Sequence, residues 1–219
     1  MDQFIENFLG YKRFGPPFAR RDVPEEKIAK FRGKLPDKLL AYWQEYGWCG
    51  YAEGLFWTVD PDEWEDELDA WIADTPFMEQ DTYYVIARSA FGELILWGEN
   101  SGQSLKVMTS YGMIFPAFDD AGFREDGPDL TVQLFFSVAS RDSFDMNDED
   151  GNPLFERALA KLGLLDHETM YGFVPALALG GTNSLDRLQK LEAHVHLDIL
   201  SQLTEKQIMR DIAKDAGLS

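Results

Sequence analysis

The sequence predicts an α+β protein: helices packed on a largely antiparallel sheet, in two closely packed modules. Three observations carry this expectation. Apolar residues at helical spacing, bracketed by proline and glycine, lead the chain as far as Gly47. Between Thr82 and Phe115 the texture turns to short β-rich runs, YYVIARSA, ELILWG, SLKVM and YGMIF, separated by the turn signals FG, GENSG and SYG. The polar, acidic, glycine-containing stretch Asp119 to Asp129 then separates these patterns from a second set, dividing the chain into residues 1–118 and 119–219.

Phe4, Ile5, Phe8 and Leu9 form the apolar stripe of a first short helix that Pro16 and Pro17 interrupt. A second helix is expected over Glu25 to Arg32, with Pro24 opening it and Gly33 closing it. A third begins after Pro36, carries Leu39, Leu40, Tyr42, Trp43 and Tyr46 on a wide apolar face, and stops at Gly47. Leu55 to Val59 has strand character. Asp60 should cap the next helix, with Pro61 at its first position and Glu63 completing a capping box, while Trp64, Leu68 and Trp71 face inward. The rest of that helix, Asp62, Glu63, Glu65, Asp66, Glu67 and Asp69, reads as an acidic face without a compensating base.

In the second module, Leu130 to Ala139 fits helix better than strand, with Leu130, Leu134 and Val138 on one face. DMNDEDGNP is an acidic loop. Asn152 and Pro153 should start a helix that runs through Leu162 and ends at Gly163. YGFVPALALGG reads as a buried strand closed by a glycine pair, and Leu185 to Leu203 as a strand followed by a helix. A last helix is expected from Thr204, capped through Gln207, with Ile208, Met209, Ile212 and Ala216 inward.

Composition narrows the function before any motif does. With 20 Lys and Arg against 39 Asp and Glu the formal charge is −19, on a chain that is 45% hydrophobic and 14% aromatic. Such a chain can bury a core, so its acids belong to the surface of a fold rather than to a disordered tail. That field repels nucleic acid and speeds encounter with basic partners. The basic cluster Lys12, Arg13, Arg20 and Arg21 is too small to reverse it and is expected to form internal salt bridges. No secretory signal and no membrane-length apolar run is evident, and one cysteine, Cys49, fits a reducing compartment; a cytoplasmic protein is expected.

Catalytic and metal-binding patterns do not assemble. With Gly151 at the sixth position of an EF-hand loop, Met146 and Arg157 would fall where carboxylates are required. His194 and His196 would share a face in a strand and diverge in a helix, and HETMY at His167 lacks the second histidine of a zinc protease. Cys49 beside Trp48 is expected to be buried, and neither a nucleophile elbow nor a phosphate-binding loop is present. No catalytic residue, metal or cofactor is expected, and the chain is not expected to be an enzyme.

The blocks GWCGYAEGLFWTVDPDEW, ARSAFGELILWGE, LFERALAKLG and YGFVPALALGG, in that order, resemble a bacterial family with an N-terminal GAD-like domain and a C-terminal module typical of immunity proteins. The resemblance implies a GAD-like domain over 1–118, an immunity module from 119, and cognate inhibition of a DNase effector delivered by type VI secretion. A nuclease grips phosphate with Lys and Arg, so an acidic inhibitor can occupy that surface in place of DNA. Charge density nominates Asp62, Glu63, Glu65, Asp66 and Asp69, with Asp148, Glu149 and Asp150 of the acidic loop, as partner-binding residues. A protein-binding or scaffold module with a non-toxin partner is the alternative.

Overall fold

In the computed structural model an eight-stranded sheet carries helices from both halves of the chain; residues 2–116 and 121–209 are described, the side chains of 121–124 excepted. The strands are β1 (Phe18–Arg21), β2 (Trp48–Tyr51), β3 (Phe56–Thr58), β4 (Tyr83–Ser89), β5 (Leu94–Gly98), β6 (Gly102–Met108) and β7 (Met113–Pro116), ordered as in the sequence and antiparallel throughout. β10 (Gln207–Ile208) completes the sheet, parallel to β7. A separate hairpin pairs β8 (Thr169–Phe173) with β9 (Leu188–Glu192). The fold is α+β, as the patterns predict.

The helices are α1 (Gln3–Glu6), α2 (Glu25–Phe31), α3 (Asp37–Tyr46), α4 (Glu65–Ile72), α5 (Phe77–Gln80), α6 (Ala121–Val138), α7 (Phe155–Leu162) and α8 (Ala193–Leu203). Gly47 ends α3 at φ 76°, a conformation that a side chain resists, and the predicted stripe of α3 is buried in full. α1 continues as a π-helical turn over Asn7–Tyr11. α6 is broken at Gly127, and its inward face differs from the predicted one. Val132, Phe136 and Ala139 are buried, whereas Leu134 is 39% and Val138 68% exposed. The aromatic partners available under the helix set that rotation: Phe136 meets Phe8, Tyr42 and Phe56 edge-on at 5.2–6.2 Å.

One continuous core runs through both halves, with Trp43, Trp57, Trp64, Trp71 and Trp97 essentially inaccessible. Burying each such ring removes on the order of 200 Å² from water, about 5 kcal/mol before ordering costs. Arg88 of β4 is the largest buried polar side chain. It donates to the carbonyls of Asp166, His167 and Thr169 at 2.9–3.1 Å and lies over the rings of Trp57 and Trp64. The sheet is thereby tied to the turn that opens β8.

Other expectations are corrected locally. The YGFVPALALGG strand ends at Phe173; a Val174–Pro175 cis bond and a 3₁₀ turn over Leu177–Leu179 replace its second half. α7 begins at Phe155 rather than Pro153, and Asp145 rather than Asn152 supplies the cap, accepting from the Phe155 amide at 2.8 Å. Gln207 and Ile208 are strand, not helix, because the open edge of β7 offers them ladder partners; residues 210–219 of the expected last helix lie outside the described residues. Among the described residues, no helix is long and apolar enough to cross a membrane.

Candidate functional site

α4 and the 3₁₀ turn that leads into it position five of the eight nominated acids. Asp60 accepts from the Asp62 amide, and a 3₁₀ turn over Pro61–Trp64 leads into the helix. Trp64, Leu68, Trp71 and Ile72 are buried, which leaves Glu65, Asp66 and Asp69 on the solvent side. The acidic face is not uniform, and three of its members are occupied. Asp62 accepts from Lys27 and Lys30 Nζ, each at 2.6 Å. Burial pushes its carboxyl up, but those two ammonium groups outweigh burial and hold it below the usual range. Glu63 takes both guanidinium NH groups of Arg21 at 2.7–2.8 Å, which lowers its carboxyl instead of closing a capping box. The compensating bases come from α2 and β1, so helical spacing alone does not show them.

Glu67 is corrected outright: it is only 6% exposed and faces α8. Its Oε1 lies 2.8 Å from His194 Nδ1, and the His194 ring packs on Trp64 at 4.6 Å. The carboxylate raises the His194 pKa against the opposing effect of burial. Because both histidines sit on a helix, His196 points elsewhere, against Gly172 of β8. No group of three His, Cys, Asp or Glu side chains able to hold a metal occurs among the described residues. Cys49 is fully buried, its amide bonded to Thr58 Oγ1, and burial pushes its thiol up.

In the acidic loop Asp148 is likewise occupied. It accepts from the amides of Asp150 and Asn152 and from Arg157 at 2.6–2.7 Å, and these bonds, the Asn152 amide foremost, lower its carboxyl. Glu149 and Asp150 remain exposed. Of the eight nominated acids, Glu65, Asp66, Asp69, Glu149 and Asp150 therefore present charge that no base among the described residues neutralises, on two separate elements. Arg20 and Arg21 of the small basic cluster pair with Asp22 and Glu63, as expected of them.

Two neighbouring features escape a sequence reading. A groove of about 330 Å³ runs beside α4, lined by Asp62, Glu65, Leu68, Asp69, Ile72, Met78, Tyr83 and Tyr84 among others. Met78 is 48% exposed there. α8, packed directly on α4, turns Ala193, Leu197 and Leu200 inward and leaves Val195, Ile199 and Leu203 at 59%, 47% and 58% exposure. Those three recur every fourth residue, so they form one apolar ridge along the helix. The spacing is visible in the sequence, but only the packing shows which of α8's apolar stripes is left uncovered. The surface thus combines acids on α4 that have no ion-pair partner among the described residues with an apolar ridge on α8, a composition suited to binding a protein.

Residues 3–111 match the GAD-like domain family, and residues 129–204 match the family described as T6SS immunity protein Tdi1, C-terminal. The crystal structure of Atu4351 from Agrobacterium tumefaciens shares the fold, with a TM-score of 0.80 at 20% identity over 95% of this chain and 91% of that one. No curated protein sequence matches. The chain therefore belongs to the type VI secretion immunity family in which a GAD-like domain precedes a Tdi1-type C-terminal module.

Proposed function

We propose that this protein neutralises a cognate DNase effector of the type VI secretion system in the bacterial cytoplasm, by covering the basic surface with which the toxin holds DNA. The observation that carries this reading is the α4–α8 surface. Glu65, Asp66 and Asp69 supply negative potential without an ion-pair partner among the described residues, and Val195, Ile199 and Leu203 supply apolar area beside it. Acids of this kind set the encounter rate and register, whereas buried apolar anchors supply most of the affinity. An interface of standard size, roughly 1,600 Å², would extend past both helices. Glu149 and Asp150 are the nominated acids that would steer from the second element. Inhibition needs no turnover by this chain and no contact with nucleic acid.

The test uses the product of the adjacent reading frame, made in catalytically inactive form for binding and in active form for rescue. Co-production should restore growth of cells making the active toxin, and the pair should associate faster in dilute buffer than in high salt. Absence of both rescue and association would remove the reading.

A further inference from the structure

A small cavity of about 80 Å³ lies between the sheet and the segment that follows α6. Phe91 and Met108 from the sheet side and Phe144 and Met146 from the other line it with apolar surface. Its charged lining is Glu93, Lys106 and Asp145. Glu93 is 8% exposed; Oε2 lies 3.5 Å from Lys106 Nζ, whereas Oε1 is buried and has no hydrogen-bond partner. Two carboxylates and one ammonium group thus line the cavity. Burial pushes the Glu93 carboxyl up to about 7 despite Lys106, and it raises Asp145 despite the amides of Phe155 and Met146.

An unpartnered, buried carboxylate oxygen is costly, and here it costs more because the local charge is one cation short. A water molecule would supply a hydrogen bond but no charge. A metal ion would need several oxygen ligands and gain nothing from Phe91, Phe144 and the methionines. A cationic head on an aliphatic stem meets both kinds of lining, and a lysine or arginine end fits the volume. We propose that this cavity receives a lysine or arginine side chain of the partner protein, with Glu93 Oε1 accepting from the head group, Asp145 adding the second negative charge and the stem packed on Phe91 and Phe144. The identity of the partner rests on the immunity reading; the preference of the cavity for an alkyl cation does not.

The two are tested separately on the full chain. Butylammonium is titrated into the protein while the Glu93 carboxyl and the amides of Ser89 and Phe144 are followed by NMR, with butanol as the neutral isostere. Butylammonium should shift those amides and lower the Glu93 titration midpoint by roughly one pH unit, as an opposite charge does to a carboxyl. Butanol should do neither. In Glu93→Gln, which keeps size and folds as checked by its amide spectrum, the amide shifts should disappear. Equal effects of butanol and butylammonium, or no effect of either, would overturn the site. With the inactivated toxin, Glu93→Gln should weaken binding about tenfold, the size of one charge-assisted contact. Unchanged toxin affinity beside intact butylammonium binding overturns the partner assignment, and failure of the unaltered chain to bind toxin at all is failure of the immunity reading.

Discussion

At Arg88 a guanidinium sits at 0% exposure with no carboxylate bonded to it; three carbonyls of the 166–169 turn and two indole faces hold it instead. Burial pulls its pKa down to about 9, with Asp166 opposing, so it stays charged at neutral pH. Arg88→Ala should cost at least about 3 kcal/mol in denaturant unfolding, because it removes the donor common to the Asp166, His167 and Thr169 carbonyls together with the side chain packed on Trp57 and Trp64. Arg88→Lys should recover little of this, since one ammonium does not span the same fork. His194 gives a pH-dependent counterpart. Its pKa is raised by Glu67, so its contribution is fully present below the unfolded value of 6.5 and fades as pH rises through the higher folded value. The stability gap between the unaltered chain and His194→Gln should be about 1–2 kcal/mol near pH 5.5 and close progressively in more alkaline buffer; a gap independent of pH would show that the pair is not ionic. In the sequence Arg88 did not stand out, and His194 did so only as a candidate metal ligand. Arginine in a β-run and histidine on an ambiguous segment acquire these roles only where the two halves of the chain meet, the 166–169 turn against Arg88 and Glu67 against His194.

Among the elements, α3 and the meander of β4 to β7 were the most legible, because a proline start, a glycine stop and short turns specify them locally. β1 was missed: Phe18–Arg21 has one residue, Ala19, at φ 48° and no alternation to mark it. On α4 helical spacing found the buried tryptophans, but it counted Asp62, Glu63 and Glu67 as free. The difference is measurable. Glu65→Lys, Asp66→Lys and Asp69→Lys together should slow association with the toxin about tenfold at low ionic strength and leave thermal unfolding in place. Asp62→Lys should instead destabilise by about 1 kcal/mol through Lys27 and Lys30, with a smaller effect on association. On α8, Ile199→Arg should weaken the complex by at least about 2 kcal/mol, mainly through faster dissociation, while Tm is preserved because the side chain is already exposed.

For the whole molecule, composition predicts a basic partner and disfavours nucleic acid, since −19 on a folded body of 219 residues is a long-range property. Composition does not place the patch, because three of the eight nominated acids, Asp62, Glu63 and Asp148, are consumed by lysines, arginines and amides that tertiary structure delivers. The same field acts on the isolated chain: added salt should raise its melting temperature by screening self-repulsion even as it slows capture of the toxin. Those opposite trends are a joint test of the charge argument.

The short pairing of Gln207 and Ile208 with Met113 and Ile114 has a bearing on quality control. Without it, β7 would present a bare row of amides and carbonyls at the rim of a largely apolar sheet, a template onto which a sibling copy can stitch itself. A chain cut after Leu203 should retain both helices of the proposed docking face and yet precipitate or dimerise on purification. The final residues would then guard the antidote against polymerising before it meets its poison.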